Sequence, residues 1–111
     1  MNCHFNSKIS ELKTNPAQSL TLFRILQESL TNVVKHAKAT EVIIQLFICK
    51  NKLIIEIKDN GIGIDKNHKV KQDSYGMIGM KERVRFLDGR LNVSGNLGEG
   101  TTVSVEIPYE N

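Results

Sequence analysis

Residues 42–59 read VIIQLFICKNKLIIEIKD, two runs rich in β-branched residues on either side of Lys50-Asn51-Lys52. In the first run, 42–49, Gln45 is the only polar interruption, so it reads as a well-buried strand. In the second, Leu53, Ile55 and Ile57 alternate with Ile54, Glu56 and Lys58, the period of two expected of a strand with one core face. A tight turn at 50–52 joins them as a hairpin. Asp59 extends the parity of Leu53, Ile55 and Ile57. Its carboxylate is therefore aimed toward the core side at the end of the strand, where Gly61 lets the chain turn away.

Upstream, CHFNSKI suits a short edge strand, and Asn15-Pro16 marks the start of a helix, with proline in the first turn. From about Ala17 to Ala37, the residues Leu22, Leu26, Leu30, Val33 and Ala37 recur at three-and-four spacing and predict the core face. Glu28, Asn32 and His36 form a second i, i+4 series, roughly 130° around the helix from the first at about 100° per residue. Downstream, residues 60–75 lose both periodicities and read as a mobile surface loop. A second helix is expected over roughly Ile78 to Leu87, with Met80, Val84 and Leu87 on one side and Gly89 in the stop position. RLNVSG and TTVSVEIP close the chain as two strands, with Val103, Val105 and Ile107 facing inward. These elements predict an α+β two-layer sandwich, helices on one face of a mixed, mostly antiparallel sheet.

At 111 residues the chain is expected to be one domain, long enough to bury a core without staples. With 40% hydrophobic and 24% charged residues it has a globular rather than a disordered composition. Cys3 and Cys49 do not form a disulfide framework, and a reduced, cytoplasmic setting is expected. No apolar run approaches the roughly 20 residues of a membrane span. The net charge of +3, with 5% aromatic residues and no Trp, is no nucleic-acid footprint.

Four features carry candidate chemistry, each beside a plainer reading. Asp59 either caps its own turn or accepts a hydrogen bond from a ligand's amino group. The glycine pairs Gly61/Gly63 and Gly76/Gly79 either punctuate turns or let backbone approach a phosphate chain, the second pair running into a helix N-terminus. Glu28, Asn32 and His36, with Lys35 beside them, form either a solvated face or a carboxylate and a carboxamide placed for phosphoryl chemistry and Mg²⁺. Thr101 points inward at the start of its strand, toward either a backbone group or a ligand. No GxxxxGK[ST] phosphate loop and no dinucleotide fingerprint is present.

Taken in order, these segments resemble one family. FRILQESLTNVVKHAKAT, residues 23–40, is similar to the N box of the histidine-kinase ATPase domain; DNGIGI and GMIGMKERV are similar to its two glycine boxes, and GEGTTVSVEIP to its closing strand. The resemblance covers roughly residues 18 to 108 and implies the Bergerat nucleotide-binding fold shared with DNA gyrase, the heat-shock chaperone and the mismatch-repair ATPase. QESLTNVVKHAKAT and SYGMIGMKERV look most like the short-lid sensor kinases that act on helix-turn-helix response regulators. Met77 stands in place of a usual leucine and Lys81 in place of a usual arginine. No F box is apparent between Gly63 and Gly76.

The resemblance implies ATP and Mg²⁺ as ligands. It makes Asn32 the metal-coordinating residue and Glu28 the acid that serves as general base or orients a nucleophile. It makes Asp59 the acceptor for the adenine amino group, with Thr101 also reaching adenine. Gly61 and Gly63 then begin the ATP lid, and Gly76, Met77 and Gly79 close it near the phosphates, with Lys35 and His36 on the phosphate side. Lys66, Lys69 and Lys71 either screen phosphate charge or simply solvate the loop. His4, His36 and His68 do not fall in the dimerising helical hairpin that carries the phosphoacceptor histidine of such kinases. The expectation is therefore a catalytic domain, residues 1–111, excised from a larger sensor kinase of the cytoplasm or its membrane. It would bind ATP·Mg²⁺, serve a separate dimerisation and phosphoacceptor domain and, through it, a helix-turn-helix response regulator. No nucleic-acid or membrane contact is expected. An anti-sigma-factor serine kinase and a nucleotide-gated binding module without transfer activity are the alternatives.

Overall fold

The computed structural model describes residues 2–9, 12–62, 77–95 and 98–109, and the expected elements occur there in the expected order. Strand β1 is Asn2–Ser7 and helix α1 is Pro16–Asn32, continued by a π turn at Val33–Ala37; β2 is Glu41–Cys49 and β3 is Lys52–Asp59. Helix α2 is Met77–Phe86, β4 is Arg90–Gly95 and β5 is Thr101–Pro108. The strands form one sheet in the order β1-β2-β3-β5-β4. Its pairs are antiparallel except β1 with β2, which run parallel from Asn2↔Glu41 to Ser7↔Leu46. A parallel pair needs a crossover, and α1 supplies it.

Local signals explain where these elements begin and turn. Asn15 caps α1 reciprocally with Gln18: its Oδ1 accepts from the Gln18 N–H at 2.8 Å, and its own N–H donates to Gln18 Oε1 at 3.0 Å. With Pro16 at the first helical position, the orphan donors of the helix start are reduced in number. The hairpin turns on two residues, Lys50 and Asn51, both with positive φ (52° and 62°), and Lys52 already belongs to β3. That is the handedness of a type I′ turn, which matches the twist of the strands it joins.

The core fills one face of the sheet. Val42, Ile44, Leu53, Ile57, Leu91, Val103, Val105 and Ile107 share that face and meet Leu22, Ile25 and Val33 of α1 and its π turn and Met80 and Val84 of α2. Each such side chain, fully buried, is worth about 1.5–3 kcal/mol of transfer free energy. The other face is mostly polar, with the pairs His4–Glu41 at 3.1 Å and Lys52–Glu106 at 3.4 Å flanking Ile43, Phe47 and Ile54. Tyr109 ties the hairpin end to the segment before α1: its N–H donates to the Asn51 carbonyl and its hydroxyl accepts from the Lys13 N–H at 2.8 Å.

Three sequence expectations are revised. The strand at 42–49 is buried on one face only, because no layer covers the other; on that open face Ile43 and Phe47 are half-buried and Gln45 and Cys49 are exposed. In α1 the buried line is Leu22, Ile25, Ser29 and Val33, with Leu26 and Leu30 at its rim. The helix is thus rolled toward its polar series, and Asn32, seven residues after Ile25, stands about 20° from Ile25 at the edge of that line rather than well across the cylinder. At the end of α2 the positive φ belongs to Asp88 (58°), not to Gly89. The bonds Asp88 N–H to Arg85 O and Gly89 N–H to Val84 O form a Schellman ending around Asp88. Gly89 is needed for space instead, since a Cβ there would sit 2.3 Å from the Glu106 carbonyl oxygen.

Candidate functional site

Strand register brings the candidate residues to one end of the sheet. Asp59, the last residue of β3, pairs with Val42 on one side and Thr101, the first residue of β5, on the other. All three therefore share the core face. Asp59 is 6% exposed, and its Oδ1 accepts the Gly61 N–H at 2.8 Å. The turn-capping role and the inward aim, set as alternatives by the sequence, coexist: one carboxylate oxygen closes the Asx turn. Thr101 is half-buried beside it.

Gly100 fixes this geometry. Its φ is +84°, and a Cβ added there would lie 2.1 Å from the Asp59 carbonyl oxygen. Only glycine lets β5 start so close to the end of β3. Asn60 does comparable work on the other side. Its Oδ1 accepts the N–H groups of Thr40 and Glu41, each at 3.0 Å, and its Nδ2 donates to Thr40 Oγ1 at 2.9 Å. The segment leaving the α1 π turn is thereby pinned to the end of β3.

Both helices bring an end to the same place. The N-terminal end of α1 lies near Tyr109 and the hairpin, whereas its other end leads through Thr40 to Glu41 beside Asn60. Asn32 and Glu28, half-buried and exposed respectively, therefore stand on the last turns of α1 at the Asp59 end. For α2 the direction is reversed. Its C-terminal Gly89 abuts Glu106 and Ile107 near the hairpin, so its N-terminus, at Met77, is directed toward the Asp59 end. A helix N-terminus carries partial positive charge and unpaired N–H groups, the chemistry that suits phosphate. Gly79 is exposed there, and a Cβ on it would meet nothing within 4 Å among the described residues.

The remaining candidates are less completely defined. Lys35 is exposed on the π turn, whose extra residue breaks the α-helical register. The i, i+4 spacing of Glu28 and Asn32 lies within α1 itself, whereas His36 falls on the π turn and its side chain lies outside the described part. So do the Met77 side chain, Gly63, Gly76, Lys66, Lys69 and Lys71, while Gly61 is buried in the turn that Asp59 caps. A separate groove at the β1 edge, lined by Phe5, Leu12, Phe23, Leu26, Ile44 and Ile55, is apolar and involves none of these residues.

A family model described as "Histidine kinase-, DNA gyrase B-, and HSP90-like ATPase" matches residues 17–111. The chain belongs to this ATPase family. Among curated relatives it is 44% identical over 89 residues to the sensor histidine kinase ComP of Bacillus subtilis, covering 79% of this chain and 12% of that protein. It is 45% identical over 89 residues to the signal transduction histidine-protein kinase/phosphatase DegS of Brevibacillus brevis, covering 80% of this chain and 23% of that protein. This ATPase domain thus spans an eighth to a quarter of the length of those relatives. Its fold is that of the histidine kinase domain of a blue-light activated kinase from Erythrobacter litoralis, with a TM-score of 0.79 at 22% identity over 96% of this chain and 51% of that one. The histidine kinase AdeS of Acinetobacter baumannii superposes equally well, with a TM-score of 0.79 at 15% identity over 98% of this chain and 54% of its own.

ATP binding follows from membership in an ATPase family. The expected α+β sandwich is the observed one, and no helix among the described residues is long and apolar enough to cross a membrane. Sequence reading missed three residues at this end of the ATPase domain: Asn60, Gly100 and Ser29. The first two were visible in DNGIGI and GEGTT, but their work is close approach between segments distant in sequence. Ser29 lay hidden because it falls on the side of α1 that the leucine stripe had seemed to leave outside the core.

Proposed function

We propose that this chain is the catalytic and ATP-binding domain of a sensor histidine kinase, which holds ATP·Mg²⁺ and presents the γ-phosphoryl group to a histidine on a separate dimerising hairpin. The observation that carries the reading is the pairing of buried Asp59 with Thr101 at the sheet end to which the polar end of α1 and the N-terminus of α2 are both directed. The identity to sensor histidine kinases over most of the chain supports the same reading.

In this site Asp59 accepts from the adenine amino group and Thr101 donates to the base, while the backbone around Gly76, Met77 and Gly79 lies against the phosphates. Lys35 and His36 stand on the phosphate side. Mg²⁺ needs few protein oxygens when phosphates and water fill most of its shell, and the half-buried Asn32 carboxamide is a fitting donor. When bound, the ion would neutralise charge developing on the phosphate oxygens. Glu28, one turn before Asn32, is exposed and able to orient or deprotonate the incoming imidazole. Transfer breaks the bond from Pγ to the bridging oxygen of ADP and forms a P–N bond, and the imidazole proton leaves to the base. A short-lid kinase of this kind would serve a helix-turn-helix response regulator in the cytoplasm.

A thermal-shift titration with ATP, ADP and GTP, each with and without Mg²⁺, tests the site, because a ligand of the native state must raise the melting temperature. Adenine nucleotides should shift it and GTP should not; no shift with ATP refutes the reading. Adding the dimerising hairpin of the parent kinase should then yield acid-labile phosphohistidine on the hairpin. Label on a serine of a partner would point instead to a serine kinase, and ATP binding without label on any acceptor to a nucleotide-gated module.

A further inference from the structure

Ser29 is 2% exposed, and its Oγ has no hydrogen-bond partner among the described residues. A helical serine ordinarily satisfies its hydroxyl on a carbonyl one turn back. Native interiors contain few unsatisfied groups, and each calls for a physical account. Ser29 lies between Ile25 and Val33 on the buried line of α1, so its side chain faces the sheet. Its height above the strands follows from the direction of α1. Leu22 shares the apolar groove with Ile44 and Ile55, and Ser29 is seven residues further on, about 10 Å along the helix axis. Along β3, Ile57 and Asp59 lie about 7 and 14 Å beyond Ile55. The unpartnered hydroxyl therefore sits above the strand end that carries the buried Asp59 and Thr101.

We propose that Ser29 is a base-recognition residue, whose hydroxyl donates, directly or through one water, to a ring nitrogen of adenine adjacent to the amino group that Asp59 accepts from. The proposal rests on the ATP-site reading given above. Adenine flanks its amino group with two acceptors, N1 and N7, so a carboxylate beside a hydroxyl donor complements that edge. Guanine presents an acceptor at O6 and a donor at N1, and the same pair opposes it. Ser29 thus adds a donor beside a buried carboxylate, Asp59, that only accepts.

The test is Ser29→Ala, measured by calorimetry with ATP, 1-deaza-ATP and 7-deaza-ATP alongside melting of the nucleotide-free protein. The variant should bind ATP ~3- to 10-fold more weakly, the range of one hydrogen bond. Its own melting temperature should not fall, because removing an unsatisfied buried hydroxyl relieves a desolvation cost. The wild type should lose a similar factor on whichever deaza analogue lacks the contacted nitrogen, and Ser29→Ala should bind that analogue and ATP alike. ATP affinity within twofold of wild type, or equal weakening toward ATP and both analogues, overturns the proposal and leaves the ATP site standing. Failure of the wild type to bind ATP removes the site itself.

Discussion

Replacing Asp59 by Asn changes one atom of the proposed site. Oδ1 accepts the Gly61 N–H at 2.8 Å, and an asparagine oxygen can keep that bond and the turn it closes. The other oxygen, left for the adenine amino group, becomes an NH₂ that meets a donor with a donor. A hydrogen bond to a charged group contributes about 1.5–3 kcal/mol, so loss of that contact should weaken ATP binding by roughly 10- to 150-fold. Stability should respond differently. The substitution conserves shape and removes a buried charge, so the nucleotide-free variant should melt within a few degrees of wild type. Calorimetric titration with ATP, paired with a melting curve, separates the two effects. A folded Asp59→Asn protein with wild-type ATP affinity would sink the assignment and reduce Asp59 to the cap of its own turn.

At the phosphate end, Asn32→Asp should disturb binding of ATP with Mg²⁺ more than binding of ADP in chelator, because the substitution alters a metal-facing oxygen and brings negative charge toward phosphate; calorimetry under the two conditions, with equal losses in both, would show that Asn32 does not hold the ion. Gly100→Ala should destabilise the fold by at least about 2 kcal/mol, since positive φ costs an alanine about 1–2 kcal/mol before its Cβ meets the Asp59 carbonyl oxygen at 2.1 Å. Urea unfolding reads this directly, and an unchanged midpoint would mean that β5 can retreat from β3 freely.

Much of the architecture was legible because local signals agreed. The hairpin from Val42 to Asp59 and the strand from Thr101 to Pro108 follow from period-two alternation, and the start of α1 follows from Asn15-Pro16. The inward aim of Asp59 followed from parity alone. Tertiary packing hid the rest. The roll of α1 onto Ile25 and Ser29 depends on which stripe meets the sheet, and Leu26 and Leu30 made a rival stripe equally apolar. The π turn at Val33–Ala37 has no periodic signature, and the pattern read as one continuous helix to Ala37. Asp88 took the left-handed position expected of Gly89, because glycine was required at 89 for proximity to β5 rather than for backbone handedness. Tyr109 is a buried strut whose partners, Lys13 and Asn51, are remote in sequence.

Asn60 reinforces a junction that the β2–β3 ladder already makes through Val42 and Asp59. Its carboxamide holds Thr40 and Glu41, just past the end of α1, while its own backbone follows Asp59 at the end of β3. In the proposed site, α1 handles the phosphates and β3 handles the base. A nucleotide is a molecule of fixed length, and a site that measures it must keep its two jaws at a constant span. In that site Asn60 would be the spacer of the caliper, setting the gap between the jaw that holds the base and the jaw that holds the phosphates.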